Sequence, residues 1–212
     1  MLERKEEYWS RFADTFDEDQ KYIVGEAIQQ AVIRRLSEER DLGEVVELGC
    51  GRGYFTKAIA RNAKQVLATD LSDEMVEAAR TELKAFQNIA VQKADCENTA
   101  FPSERFDTVV MVNVVHFIEN PDRCLQESYR ILRAGGVLLL ADYTGYGMKW
   151  FEIMKMGMKF LKKWGKPPRY AQKGSLSPDK LGSLVESAGF EVEEVQLIGD
   201  QTRALYLKGR KT

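Results

Sequence analysis

Glu47-Leu48-Gly49-Cys50-Gly51-Arg52-Gly53 sets one acid and three alternate glycines directly after the first apolar run, Val45-Val46. Val45–Leu48 reads as the end of a buried strand, and Tyr54–Ala63 reads as a helix. Glycines between a strand and a helix let the backbone turn tightly and let a ligand approach it, while the helix start offers free N–H groups. This is the layout of a nucleotide-cofactor site. The spacing is G-x-G-x-G, however. A dinucleotide fingerprint counted from Gly49 needs Gly or Ala at position 54, where Tyr54 stands. Counted from Gly51, it needs one at position 56, where Thr56 stands. Both readings depart from the dinucleotide pattern.

The elements that would position this loop follow from periodicity. Residues 3–40 read as helical. Tyr8, Trp9, Phe12 and Phe16 recur at helical spacing, and Ile23, Ala27, Ile28, Ala31, Val32 and Leu36 form a second stripe. Strands are expected at Val45–Leu48, Gln65–Thr69, Ile89–Ala94, Phe106–Val112 and Val137–Ala141. Helices are expected between them, one capped by Ser72 and running to Phe86, the other from Asn120-Pro121-Asp122 to Arg133, where Gly135-Gly136 stops it. Repeated strand–helix units argue for a parallel sheet covered on both faces. The end differs. Ser177-Pro178-Asp179 starts a helix that Gly189 ends, and Glu191–Ile198 and Arg203–Lys208 alternate as a hairpin, which closes the sheet with an antiparallel strand.

A chain of 212 residues is one domain of ordinary size, and its net charge of −2 offers nothing that would attract nucleic acid. Three cysteines, Cys50, Cys96 and Cys124, have no metal-ligand spacing and read as reduced thiols, so no metal is expected. The charged start, Met1-Leu2-Glu3-Arg4-Lys5, does not read as a secretory signal, and the expected location is cytoplasmic. Charge is unevenly spread. Residues 149–173 carry +7 and the rest of the chain −9.

Five elements in order resemble the class I S-adenosylmethionine-dependent methyltransferases, in the type 11, UbiE-like group. They are Glu47–Gly53; Ala68-Thr69-Asp70-Leu71-Ser72; Asp95-Cys96; Phe106-Asp107-Thr108-Val109-Val110 with Asn113; and Leu132-Arg133-Ala134-Gly135-Gly136. Ala134 stands where relatives often have Pro. The resemblance is strong over about residues 40–145 and reaches the terminal hairpin in outline. It implies a Rossmann-like, doubly wound seven-stranded α/β sheet of order 3-2-1-4-5-7-6, with the last strand antiparallel. It also implies S-adenosyl-L-methionine as donor and S-adenosyl-L-homocysteine as product. Gly49, Cys50, Gly51 and Gly53 would border the methionine and ribose parts, and Asp70 would accept both ribose hydroxyls. Leu71 would pack on the adenine, Asp95 would accept from its amino group, and the Cys96 N–H would meet the ring. Asn113 and Glu47 would face the ammonium of the tail. The plainer roles stay open beside these: Asp70 as a helix cap, Asp95 as a surface acid, Cys50 as a small buried filler, and Glu47 as a structural acid near the loop amides.

Methyl transfer is an in-line displacement, so alignment and exclusion of water come first and a base is optional. His116, the single histidine, follows the fourth strand beside the expected methyl position. It is the candidate base, with a structural role as its alternative. Asp142, Tyr143 and Tyr146 follow the fifth strand and could line an acceptor pocket.

Between Gly147 and Gly165, Trp150, Phe151, Ile153, Met154, Met158, Phe160, Leu161 and Trp164 fall on one half of a helical wheel, and Lys155, Lys159, Lys162, Lys163 and Lys166 fall on the other. One reading is a lid packed over the acceptor pocket with a solvated lysine face. The other is contact of 147–166 with an anionic membrane surface or a bulky apolar acceptor. The expected organisation is one domain: an N-terminal helical cap (1–40), a cofactor-binding core (41–145), a lid-like basic helix insertion (146–175) and a terminal helix and hairpin (176–212). The expected function is methyl transfer to a small, apolar or aromatic acceptor. Alternatives are a membrane-surface methyltransferase of a quinone- or lipid-like acceptor, a non-catalytic binding module, and a nicotinamide oxidoreductase, against which Tyr54 and the terminal hairpin argue.

Overall fold

Val45, Val46, Leu48, Val109, Val110, Met111 and Leu138–Ala141 are buried without alternation, as strands covered on both faces must be. The computed structural model describes residues 2–168, 171 and 175–212, with side chains from residue 6 onward. Part of the expected 146–175 insertion, residues 169–170 and 172–174, lies outside the described residues. Three helices come first: α1 (Leu2–Ser10), α2 (Phe16–Val24) and α3 (Glu26–Glu38). Then follow β1 (Glu44–Leu48), α4 (Thr56–Ile59), β2 (Gln65–Asp70), α5 (Asp73–Leu83), β3 (Ile89–Lys93), β4 (Phe106–Val112), α6 (Pro121–Ile131) and β5 (Leu132–Thr144). The chain ends with α7 (Trp150–Trp164), α8 (Pro178–Ser187), β6 (Phe190–Ile198) and β7 (Arg203–Lys211).

The seven strands form one sheet of order β3-β2-β1-β4-β5-β7-β6. Pairing is parallel from β3 through β5 and antiparallel at β5–β7 and β7–β6. The expected order and its antiparallel end are therefore observed. Side chains alternate between two cores. Val46, Leu48, Val109, Met111, Leu138 and Leu140 meet Leu125 and Ile131 of α6 and Leu181 and Val185 of α8. Val45, Val110, Val112, Leu139 and Ala141 meet Ile28, Val32 and Leu36 of α3 and Ile59 of α4. Glu39, just past α3, ties this layer to the last strand by accepting from Tyr206 Oη (2.8 Å) and Lys208 Nζ (2.8 Å).

Three helices depart from the periodicity, and the one expected to reach Phe86 ends at Leu83. The helix expected at Tyr54–Ala63 is regular only over Thr56–Ile59. Beyond it, Asn62 N–H bonds Ile59 O (3.1 Å), and this tight turn frees Asn62 O to accept from Leu42 N–H (3.1 Å) ahead of β1. The helix expected to reach Arg133 ends at Ile131, and Leu132 is already extended. A register shift between Phe106 and Thr108 absorbs the Gly135-Gly136 segment into β5. Arg133, expected on the helix, instead reaches across to Asp107 (2.5 Å). The Ser72 cap holds, its hydroxyl accepting from Met75 N–H (3.2 Å).

Gly53 has φ +86°, and a Cβ there would stand 2.6 Å from Leu83 Cδ1 of α5. Gly53→Ala is expected to lower the denaturant midpoint, with the left-handed backbone alone costing about 1–2 kcal/mol. An equilibrium unfolding curve measures it.

Candidate functional site

The Gly loop is held by the neighbouring strand. Gly49 N–H and Cys50 N–H both bond Thr69 O (2.8 Å each), and Gly51 N–H bonds Asp70 Oδ2 (2.9 Å). Left-handed φ values at Gly49 (+78°) and Gly51 (+53°) make this turn, and a Cβ on Gly49 would lie 2.6 Å from Val114 Cγ2. The loop therefore runs close under the residues after β4. A cavity opens at the carboxyl ends of β1, β2 and β4, as expected for ligands of such sheets. Its wall includes Glu47, Gly49, Cys50, Gly51, Asp70, Leu71, Asp95, Cys96 and Asn113. Of the expected cofactor residues only Gly53 is turned away, against Leu83.

Each acid has its own environment. Asp70 accepts from Gly51 N–H and from Ser72 N–H (3.0 Å), so each oxygen keeps acceptor capacity toward the cavity. Burial pushes its carboxyl up against the pull of those amides. Asp95 accepts from Glu97 N–H (2.9 Å). Glu47 is buried at the end of β1 and accepts a short hydrogen bond from Thr56 Oγ1. Burial, reinforced by the charge of Asp70 and opposed by the Thr56 hydrogen bond, raises the Glu47 carboxyl from 4.5 to about 7. Cys50 is buried beside both acids, and burial pushes its thiol up, which fits a filler and not a nucleophile.

Asn113 has φ +60°, rare outside glycine. Its N–H bonds Ala141 O (2.7 Å), and its Oδ1 accepts from Tyr143 N–H (3.1 Å). Asn113 Nδ2 and the Tyr143 hydroxyl, both buried, have no well-formed hydrogen bond. This wall suits a ligand with an ammonium group near Glu47, a diol near Asp70 and a ring near Leu71, so the residues present fit S-adenosylmethionine.

Several wall residues carried no motif signal. Glu97 is buried, and its Oε1 accepts from Glu119 N–H (3.2 Å). Gln20 is a buried amide on an otherwise amphipathic helix, and that buried polar position was the available sign. Trp9 and Phe16 complete the roof. Trp9 packs edge-on to Phe117 (4.7 Å between centroids), and Phe16 stacks on Trp164 (5.2 Å).

A second cavity of about 480 Å³ adjoins the first, and Gln20, Asn113 and Phe117 line both. Its far wall is apolar: Ile23 and Val24 of α2, and Ile153, Met156, Phe160 and Trp164 of α7. His116 lines it, with Nδ1 in close contact with Asp142 Oδ1. Asp142 is 1% exposed at the end of β5, and its Oδ2 has no hydrogen-bond partner. Tyr143 lines this cavity, whereas Tyr146 is exposed and outside its wall.

Residues 46–140 match the family model described as a methyltransferase domain. The chain belongs to the S-adenosylmethionine-dependent methyltransferases. A methyltransferase of this family, the demethylmenaquinone methyltransferase of Tropheryma whipplei (strain Twist), is 28% identical over 160 residues, 74% of this chain. The matched stretch spans only 64% of that relative's length. An uncharacterized protein of Methanocaldococcus jannaschii is 30% identical over 187 residues, 86% of this chain and 80% of its own. A solved methyltransferase from Aquifex aeolicus shares the fold at TM-score 0.70 and 18% identity, covering 96% of this chain and 98% of its own. Another from Thermotoga maritima does so at TM-score 0.74 and 22% identity, covering 97% and 99%. Family membership removes the nicotinamide reading. Among the described residues no His, Cys, Asp and Glu group could hold a metal ion, and no helix is long and apolar enough to cross a membrane.

The Glu47 carboxyl is harder to ionise when folded than when unfolded. Its neutral form therefore favours folding below pH 4.5, and that contribution fades as pH rises toward 7. Glu47→Gln keeps the neutral shape. The variant is expected to melt above the parent at pH 8, by on the order of 3 kcal/mol in stability, with the difference vanishing at low pH. Thermal melts across pH test this without cofactor present.

Proposed function

We propose that this methyltransferase moves a methyl group from S-adenosylmethionine to a small apolar or aromatic acceptor held in the second cavity, releasing S-adenosylhomocysteine. The observation that carries the reading is the shared wall: Gln20, Asn113 and Phe117 separate a polar, acid-lined cavity from an apolar one. When bound, S-adenosylmethionine supplies a methyl made electrophilic by positive sulfur.

The chain's own residues align and exclude. Gly49, Cys50 and Gly51 let backbone approach the tail and ribose, Asp70 accepts the ribose hydroxyls, and Leu71 packs on the adenine. Asp95 accepts from the adenine amino group, with the Cys96 N–H beside the ring. Glu47 and Asn113 face the tail ammonium, whose charge favours the ionised Glu47. Gly53 serves the loop's turn. Trp9, Phe16, Phe117 and Trp164 keep water out of the junction.

His116 acts as general base. Asp142 holds Nδ1, which leaves Nε2 to take a proton from the acceptor, and the buried carboxylate stabilises the imidazolium that forms. An acceptor that must lose a proton, such as a phenol or quinol, fits this pair and the apolar wall. The names of similar proteins lean the same way: a demethylmenaquinone methyltransferase, a ubiquinone biosynthesis O-methyltransferase and a phytyl hydroquinone methyltransferase. Acceptors of this kind partition into lipid, which accords with a membrane contact through 147–166.

The test is release of S-adenosylhomocysteine with a panel of alkylated hydroquinones and phenols. Turnover with an apolar phenol is expected, and cofactor binding with no product from any acceptor would leave only a binding module. Asp70→Ala is expected to weaken S-adenosylmethionine binding by about 1–3 kcal/mol, measured by calorimetry. His116→Gln is expected to lower kcat about 10²–10⁴-fold with cofactor affinity unchanged.

A further inference from the structure

The wheel of α7 does not divide into one apolar and one basic half as its sequence suggests. At about 100° per residue, Met156, Phe160, Ile153 and Trp164 occupy the arc facing the protein. Lys159 and Lys163 also face the protein. Lys159 Nζ donates to Tyr22 O (2.8 Å), and Lys163 Nζ pairs with Asp19 (2.6 Å), a carboxylate 4% exposed. The arc left to solvent is apolar. Trp150, Met154, Met158 and Leu161, spaced four, four and three residues apart, form one stripe with Phe151 beside it. Trp150 is 73% exposed, and the other three of the stripe are 50–56% exposed. Lys155 and Lys162 run along the edge of this stripe and Lys166 follows just past the helix end at Gly165; Lys162 Nζ lies 5.8 Å from the centroid of the Tyr22 ring, and none of the three makes an ion pair among the described residues.

We propose that this stripe docks on an anionic lipid surface, with Trp150, Phe151, Met154, Met158 and Leu161 entering the headgroup boundary and the three lysines meeting lipid phosphates. The Lys163–Asp19 pair and the buried Trp164 fix the roll of the helix, so the stripe has no route into the protein's own core. Turning it inward would expose Trp164 and bury lysines. Charge selects the occupant. With Lys159 and Lys163 turned inward, Lys155, Lys162 and Lys166 still leave positive charge beside the stripe, so this face complements an anionic bilayer. The same row of lysines opposes pairing with a second copy of this face, which would set Lys155, Lys162 and Lys166 against their equals.

The docking face borders the second cavity. Ile153 and Gly157 line that cavity from the arc next to the stripe, and Leu161, at the end of the stripe, reaches its rim as well. A lipid-dissolved acceptor therefore has a short path from bilayer to His116. This path rests on the second cavity being the acceptor site; the docking does not.

The experiment is co-sedimentation of the full chain with phosphatidylcholine vesicles, with and without phosphatidylglycerol, in the absence of cofactor and acceptor. Failure here is thus separable from failure of the methyl-transfer reading. Binding is expected to the anionic vesicles only, to fall as salt rises, and to blue-shift the tryptophan emission, a shift lost in Trp150→Phe. The variant M154E/M158E should bind more than tenfold more weakly, while retaining its circular dichroism and its turnover of a water-soluble phenol. Each of Lys155→Ala and Lys162→Ala should cost about fivefold. Absence of binding at low salt, or binding indifferent to M154E/M158E, overturns the proposal. So does a vesicle-free dimer that M154E/M158E dissolves, which would assign the stripe to a second copy.

Discussion

The site hangs on one carbonyl. Thr69 O accepts from both Gly49 and Cys50 N–H, and the next residue, Asp70, accepts from Gly51 N–H. Three successive loop amides are thus satisfied by the end of β2. The loop can stay open toward ligand without leaving buried donors unpaired, a cost that otherwise runs to about 1–3 kcal/mol each. The parallel register that brings Leu48 opposite Thr69 makes this possible. The register in turn requires the apolar runs of β1 and β2 to be buried on both faces. Because the same contacts fix Asp70, the loop and the acid expected to hold ribose form one rigid unit.

The second cavity is built differently. Its walls come from α2, the residues after β4 and β5, and α7, which are far apart in the chain. An aromatic cluster joins them: Trp164 touches Trp9, Phe12, Phe16 and Phe160. Tyr8 Oη adds a hydrogen bond to Trp164 O (3.2 Å). Two buried acids serve this side in unlike ways. Asp142 orients His116, whereas Asp19 anchors Lys163 and with it the roll of α7. Orientation of α7 decides which residues face the cavity and which face solvent.

The sequence by itself determined the sheet and the residues that stand at the carboxyl ends of its strands. Val45–Leu48, Gln65–Thr69 and Phe106–Val112 were legible because strands covered on both faces are rich in apolar, β-branched residues, and Asp70, Asp95 and Asn113 because each directly follows an expected strand. Local signals also placed Ser72 as a cap and Gly189 as a stop. The limits lay at Arg133, where pairing with β4 already draws Leu132 onward into β5, and at Tyr54–Ala63, where the chain turns to meet Leu42 ahead of β1. Only the tertiary structure brought Asp142 to His116, 26 residues apart, and Gln20 and Glu97 into the cavity wall. Only it split the apolar half of α7 into a buried arc and an exposed stripe. A wheel records which residues share a helix face, but the direction of that face is set by partners elsewhere in the chain, here Asp19 and the Trp164 cluster.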